Sequence, residues 1–265
     1  MANKTAVITG ATSGIGAAYA EAFARQGYDL ILTGRRKEKI EAQAEKIRSA
    51  YSVGAEVVLA ELSEETGIQK VLEAMRGKEI DVLVNNAGFG VAARYQDSDL
   101  QVMEQLAKVN VLAPMELIRA VLPDMIRRHS GTVINISSES AYLVMPGNSV
   151  YSGVKSFLKV FTESLHLDLD STGVRVLTVC PGATHTDFHE KMGIAKSRQT
   201  DHGVIRWMSP EKIVELSLND LKKGKVVSKP GFSTKFFIGF LGLLPKKTYY
   251  RMVRNIGGKK KEAKE

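Results

Sequence analysis

A single cysteine in 265 residues excludes an intramolecular disulfide and any multi-cysteine zinc or iron–sulfur centre. Long apolar runs are missing as well: no stretch approaches the roughly 18–20 residues that a membrane-spanning helix needs. The opening MANKTAVITG has no apolar core behind a charged end, so it does not read as a secretory signal, and the cytoplasm is the expected compartment. No linker, low-complexity tract or internal repeat interrupts the first 180 residues. What is present is an ordinary globular composition, 44% hydrophobic and 25% charged, which excludes a disordered chain and, at this length, accommodates one or two domains.

Charge is unevenly spread. The formal net is +8, yet Leu221–Glu265 holds 13 Lys/Arg against 2 Asp/Glu, a net of +11, leaving −3 on residues 1–220. The body is mildly acidic and no RNA- or DNA-binding motif accompanies the basic end, so nucleic acid is not an expected partner. A basic end of this kind is ordinarily a solvated one.

Short β-branched apolar runs stand at Thr5–Thr9, Leu30–Thr33, Glu56–Ala60, Val82–Val84, Thr132–Ile136 and Val174–Val179. Each is bounded by Gly, Asp, Asn or Pro and reads as a buried strand. Stretches of helical period separate them, at Ile15–Gln26, Glu38–Ala50, Glu64–Arg76, Leu100–Arg128 and Val150–Asp170. The alternation predicts right-handed βαβ crossovers and an α/β fold, a doubly wound parallel sheet with helices on both faces. Ser209-Pro210-Glu211 opens a further helix, with Ser as N-cap and Pro at the first position, and Lys225–Ser228 is a candidate last strand.

Strand one runs into Thr9-Gly10-Ala11-Thr12-Ser13-Gly14-Ile15-Gly16, and a helix follows at once. Gly10 permits a tight turn, Gly14 lets the backbone approach a phosphate, and Gly16 lets helix and strand pack closely. The helix start offers free N–H groups and a positive dipole end to a pyrophosphate. Strand two ends Thr33-Gly34-Arg35-Arg36. The carboxylate that would grip an adenosine ribose is missing, and two guanidinium groups suited to a 2′-phosphate are there instead. These features point to NADP(H) in preference to NAD.

Tyr151 and Lys155 stand at i and i+4 in Tyr151-Ser152-Gly153-Val154-Lys155 and share one helix face. A phenol with a pKa near 10 exchanges protons poorly at neutral pH, and a neighbouring ammonium favours the phenolate. Ser138 ends a strand thirteen residues earlier and carries a hydroxyl suited to hydrogen-bond the same substrate oxygen as Tyr151. Asn85-Asn86-Ala87-Gly88 and Pro181-Gly182 follow two other strands, and Asn110 lies in the long middle helix. In a parallel sheet these strand ends gather at the carboxyl edge, where the ligand crevice forms.

Taken together, TGATSGIG at 9–16, NNAG at 85–88, Asn110, Ser138, YSGVK at 151–155 and PGATHT at 181–186 resemble, in order and spacing, the single-domain short-chain dehydrogenases/reductases, a Rossmann-like family. The resemblance implies that Tyr151 exchanges the proton, that Lys155 binds the nicotinamide ribose and lowers the Tyr151 pKa, and that Ser138 polarises the carbonyl. It also implies that Asn110 holds a water in a proton relay. Cofactor contacts are then expected at Gly10, Thr12, Ser13, Gly14, Ile15, Gly16, Arg35, Arg36, Asn86, Ala87, Gly88, Tyr151, Lys155, Pro181, Gly182, Thr184 and Thr186. Glu61 and Leu62 are expected near the adenine, where members commonly carry Asp. The family's pattern further implies a homodimer or homotetramer formed through the Leu100–Arg128 and Val150–Asp170 helices.

On this reading residues 1–230 form the NADP-binding catalytic domain, with a substrate lid at about 183–208, and 231–265 an apolar, basic extension. Ser138, Leu143, Met145, Phe188 and Met192, with Phe89, Val91, Trp207 and Met208, are the candidate substrate lining. A fatty, isoprenoid or steroid-like ketone or secondary alcohol fits such a lining. His185, His189 and His202 have no metal-ligand spacing, so no metal is expected, and Cys180 reads as a small buried hydrophobe. The segment 232–256 mixes apolar and basic residues as an interfacial helix does. It is expected to pack on the protein, with weak membrane-surface contact as the alternative. A non-catalytic, NADP-sensing scaffold acting through this tail is the competing function, and the intact Asn110, Ser138, Tyr151 and Lys155 set argues against it.

Overall fold

The computed structural model describes residues 3–192, 197, 199–201 and 206–262. Seven strands form one sheet in the order β3-β2-β1-β4-β5-β6-β7. They are β1 Thr5–Ile8, β2 Asp29–Gly34, β3 Ala55–Leu59, β4 Val82–Asn85, β5 Gly131–Ile136, β6 Val174–Val179 and β7 Val227–Ser228. Every pairing is parallel. The strands are nearly continuous apolar runs because both faces are covered, and alternate residues serve opposite faces. Ala6 and Ile8 of β1 join a cluster with Tyr19, Phe23, Ile40, Ile47, Ile213 and Leu221. Val7 joins the opposite cluster with Ile68, Val71, Leu117, Val121, Met125 and Leu165.

The first face carries α1 Gly14–Ala24, α2 Lys37–Tyr51 and α8 Pro210–Lys222; the second carries α3 Glu65–Met75, α5 Ala113–Arg127 and α6 Ser149–Asp168. Ser209 caps α8 by accepting the Lys212 N–H at 3.2 Å, as the Ser-Pro-Glu signal predicts. The long middle helix is not regular along its length. α4 Leu100–Ala107 passes through a π turn, Lys108–Leu112, into α5. Pro114 has no N–H for the Asn110 carbonyl four residues earlier, and the turn widens there.

After β6 come α7 Asp187–Lys191, a parallel bridge between Thr184 and Met208, and α8. The tail forms two helices, not one segment: α9 Phe232–Leu243 and α10 Lys246–Glu262. Leu244 is extended, as a residue before proline prefers, and the helix stops there. Tyr249 and Val253 of α10 and Leu241 of α9 bury together around Leu143. The Tyr249 hydroxyl accepts the Val144 N–H at 2.7 Å and donates to the Val144 carbonyl at 2.9 Å. Among the described residues no helix is long and apolar enough to cross a membrane.

Candidate functional site

The strand order reverses between β1 and β4, and a crevice opens beyond their carboxyl ends. Thr9 closes its base. Its Oγ accepts both the Asn86 N–H at 2.9 Å and the Ala87 N–H at 3.0 Å, while the Asn86 amide donates to the carbonyls of Thr9 and Gly10 at 3.0 and 3.1 Å. Gly10 and Gly14 have positive φ, +67° and +59°, which L side chains rarely adopt. A Cβ on Gly14 would lie 2.9 Å from Thr186 Cγ2, so backbone alone fits between the glycine loop and Thr186. Gly16 is different: a Cβ there would meet the Gly10 carbonyl at 2.3 Å, and Gly16 does not line the crevice. It serves helix–strand packing.

The crevice is one cavity of about 740 Å³. It brings together Gly10, Thr12, Ser13, Gly14, Ile15, Arg35, Arg36, Glu61, Leu62, Asn86, Ala87, Gly88, Ser138, Tyr151, Lys155, Pro181, Gly182, Thr184 and Thr186. Ser13 does not cap α1. Its hydroxyl accepts from Arg36 Nη2 at 3.0 Å, as Thr12 Oγ does at 2.9 Å, and Arg36 Nη1 reaches Asp187 at 3.2 Å. The first turn of α1 carries no acidic side chain, so its unpaired N–H groups stay open to an anion. Arg35 pairs with Glu61 at 2.8 Å. Burial would raise the Glu61 carboxyl, but the hydrogen bonds from Arg35 and Ser63 outweigh it and hold the pKa low.

At the other end of the cavity Lys155 Nζ lies 5.8 Å from the Tyr151 ring centroid and donates to the Ile136 carbonyl at 2.8 Å. Asn110 is buried beside them and does not line the cavity. Its amide nitrogen is fixed on the Leu106 carbonyl at 2.9 Å, and its carboxamide oxygen has no hydrogen-bond partner among the described residues. A Cβ placed on Gly88 would stand 2.8 Å from that oxygen and 3.5 Å from Lys155 Nζ. Only glycine leaves the space between them open. An unpaired buried oxygen beside a buried ammonium is the environment in which a bridging water is held.

Burial drives the Tyr151 phenol well above its ordinary pKa; the hydrogen bond from Ser138 opposes this and the Glu139 charge adds to it. Burial lowers the Lys155 ammonium to about 8. Ser138 Oγ accepts the Ser140 N–H at 3.1 Å, which aims the hydroxyl from the end of β5.

Phe89, Met145, Phe188, Met192 and Trp207 line the same cavity, and the Phe188 ring lies 5.7 Å from the Tyr151 ring. Leu143 does not line it: Leu143 is 7% exposed, enclosed by Leu241, Tyr249 and Val253 of the tail. Val91 packs beside Leu106 and Val154, and Met208 on the main core, so neither lines the cavity. The His185 ring lies 5.3 Å from Trp207; His202 and the His189 side chain lie outside the described residues. Cys180 is fully buried.

Three groups escaped the sequence reading. Asn135 accepts from the Asn85 amide at 2.9 Å and donates to Thr162 at 2.9 Å, which ties α6, and with it Tyr151 and Lys155, to the sheet. Ser137 Oγ donates to the Lys155 carbonyl at 2.7 Å. Glu139, in the cavity, is raised by burial to about 7. An asparagine inside the apolar strand VINI was the available signal for the first; the other two follow only from tertiary contact.

The model of the short chain dehydrogenase family matches residues 4–196. This chain belongs to the short-chain dehydrogenase family. Members similar to it include sulfoacetaldehyde reductase 2 of Chromohalobacter salexigens, 37% identical over 69% of this chain and 73% of that protein. The very-long-chain 3-oxoacyl-CoA reductase-B of Danio rerio is 29% identical over 96% of this chain and 80% of its own. Among solved short-chain dehydrogenases, one from Sphingobium yanoikuyae in complex with NADPH is 31% identical with a TM-score of 0.80, covering 86% of this chain and 88% of that one. The bulky-bulky ketone specific alcohol dehydrogenase from Comamonas testosteroni is 27% identical with a TM-score of 0.76, covering 98% of this chain and 94% of that one. As a short-chain dehydrogenase, this protein is a nucleotide-dependent oxidoreductase of alcohol and ketone groups.

Proposed function

We propose that the protein interconverts a bulky apolar ketone and its secondary alcohol with NADP(H). The observation that carries this reading is the meeting of Tyr151, Lys155 and Ser138 with Arg36 and the glycine loop in one cavity. The residues fit the cofactor: the positive-φ glycines form a cradle free of side chains, and the α1 N-terminus faces it without a competing carboxylate. Gly10 to Ile15 would hold the pyrophosphate, Arg36 and Arg35 the 2′-phosphate, Lys155 the ribose hydroxyls, and Pro181, Gly182, Thr184 and Thr186 the nicotinamide side. The bound cofactor supplies the hydride, and the protein supplies orientation and the proton.

Within that arrangement Ser138 donates a hydrogen bond to the substrate oxygen, and the Tyr151 phenol delivers the proton to it during reduction. Burial that favours the neutral phenol suits this direction. Lys155, charged below about pH 8, stabilises the phenolate once the proton has left. Asn110 offers its open carboxamide oxygen to the water that returns the proton from solvent.

Support for an apolar substrate comes from the aromatic and methionine lining and from charge. Among the described residues the cavity's only Lys or Arg side chains are Arg35, Arg36 and Lys155, and all three are assigned to the cofactor, so none remains for a sulfonate or carboxylate. The names of the ketone-specific and very-long-chain relatives agree with this reading. Outward apolar residues on α6, Val160 at 55% and Leu167 at 73% exposure, with Met115 on α5, support self-association through α5 and α6. The test is a panel of carbonyls with NADPH and with NADH, followed at the nicotinamide absorbance. NADPH-dependent turnover of bulky apolar ketones is expected to exceed that of small polar ones. The reverse order contradicts the reading.

A further inference from the structure

α9 is apolar on two sides. Thr234, Ile238 and Leu241 are buried against the body. Opposite them, Phe232, Phe236, Phe240 and Leu243 form a second stripe at spacings of four, four and three. Their exposures are 82%, 52%, 49% and 85%, and the three rings stack at 6.2 and 6.4 Å. A helix that has already docked one face does not need a second apolar face for its own stability, and a contiguous exposed patch of this kind marks an interaction surface.

α10 continues the surface. Its inner residues Tyr249 and Val253 enter the cluster that also takes Leu241 of α9, so both helices turn their other sides away from the body. On α10 that side carries Lys247, Tyr250, Arg251 and Arg254, spaced three, one and three apart and all exposed. Lys235 and Lys246 are exposed beside the phenylalanine stripe. From Leu221 to Lys261 the sequence has neither aspartate nor glutamate. Exposed aromatics flanked by cations are the composition of a helix lying in a membrane interface.

We propose that the outer face of α9 and α10 docks on an anionic lipid surface. The phenylalanine stripe enters the headgroup boundary and the cations remain among the headgroups. Twelve residues of α9 measure about 18 Å, so the helix lies along the surface and does not cross it. Charge decides between this occupant and a second copy of the chain. Two such faces in contact would oppose strongly basic segments and repel, whereas an anionic bilayer neutralises them. The first turn of α9 reaches the site: Thr234 Oγ stands 2.5 Å from where a Gly182 Cβ would be. Docking therefore holds the cavity close to the lipid surface.

The experiment is co-sedimentation of the full chain with phosphatidylcholine vesicles, with and without phosphatidylglycerol, at low and high salt. Binding is expected only with phosphatidylglycerol, weakening as salt rises. The double variant Phe236→Ser/Phe240→Ser and the double variant Arg251→Gln/Arg254→Gln should each weaken it at least tenfold while NADPH binding is unchanged. Absence of binding to either vesicle, or equal binding by the variants, overturns the proposal. So does a wild-type chain that ignores vesicles but loses an oligomeric state in the Phe236→Ser/Phe240→Ser variant, which would make this face a subunit interface.

Discussion

Arg36 reaches back from the end of β2 to donate a hydrogen bond to the Ser13 hydroxyl at 3.0 Å. A guanidinium is thereby held over the loop that a pyrophosphate would occupy, beside the position proposed for a 2′-phosphate. Its ion pair with Asp187 is about one-third exposed on both sides and binds it only weakly, so exchange of that partner for a phosphate costs little.

Arg36→Ala is therefore expected to weaken NADPH binding and leave NADH binding nearly unchanged. Hydrogen bonds to a charged group contribute about 1.5–3 kcal/mol, or roughly tenfold to a hundredfold in affinity. Titration of both nucleotides by fluorescence measures it. An equal loss for both would show that Arg36 does not read the 2′-phosphate.

Glu139 provides a pH signature. Its pKa is raised by burial from 4.5 to about 7, so the folded state favours the neutral acid. Stability is unaffected below about pH 4.5, is lost progressively as pH rises toward 7, and the loss is complete above it. The penalty is on the order of 3 kcal/mol. Glu139→Gln, neutral throughout, should unfold at a higher temperature than the parent at pH 8 and lose that advantage at pH 4.5. A difference independent of pH would contradict the burial account. Gly182 stands against the carboxyl with the Thr234 hydroxyl beside it, and the carboxyl's charge acts on Tyr151.

Thr162 tests the link between α6 and the sheet. Thr162→Val keeps the shape but leaves the buried Asn135 amide without its acceptor, at a cost of about 1–3 kcal/mol. Urea denaturation measures the loss, and a variant as stable as the parent would mean that this bond does not hold α6 in place.

The fold was legible because its signals are local and agree with one another. Val7 and Ile31 sit in continuous apolar runs, Gly10 and Gly14 mark the turn that needs positive φ, and Ser209 announces α8. The site was legible where spacing alone sets geometry, as with Tyr151 and Lys155 one helical turn apart. Leu143 was misread because its neighbours are Leu241 and Tyr249, a hundred residues on, and no local pattern records that contact. The bulge at Asn110 escaped because Pro114 reads equally well as a tolerated helix residue. Glu139 escaped because a carboxylate beside a serine looks solvated until α9 covers it.

In the proposed reaction Tyr151 delivers the proton to a substrate held over the cofactor. The most direct measurement compares NADPH oxidation by the parent chain and by Tyr151→Phe with a bulky apolar ketone, with NADPH affinity measured alongside. Loss of a positioned general acid removes about 10²–10⁴ in rate. Turnover should therefore fall by at least a hundredfold while NADPH still binds; a Tyr151→Phe chain that turns over as fast as the parent would contradict the account.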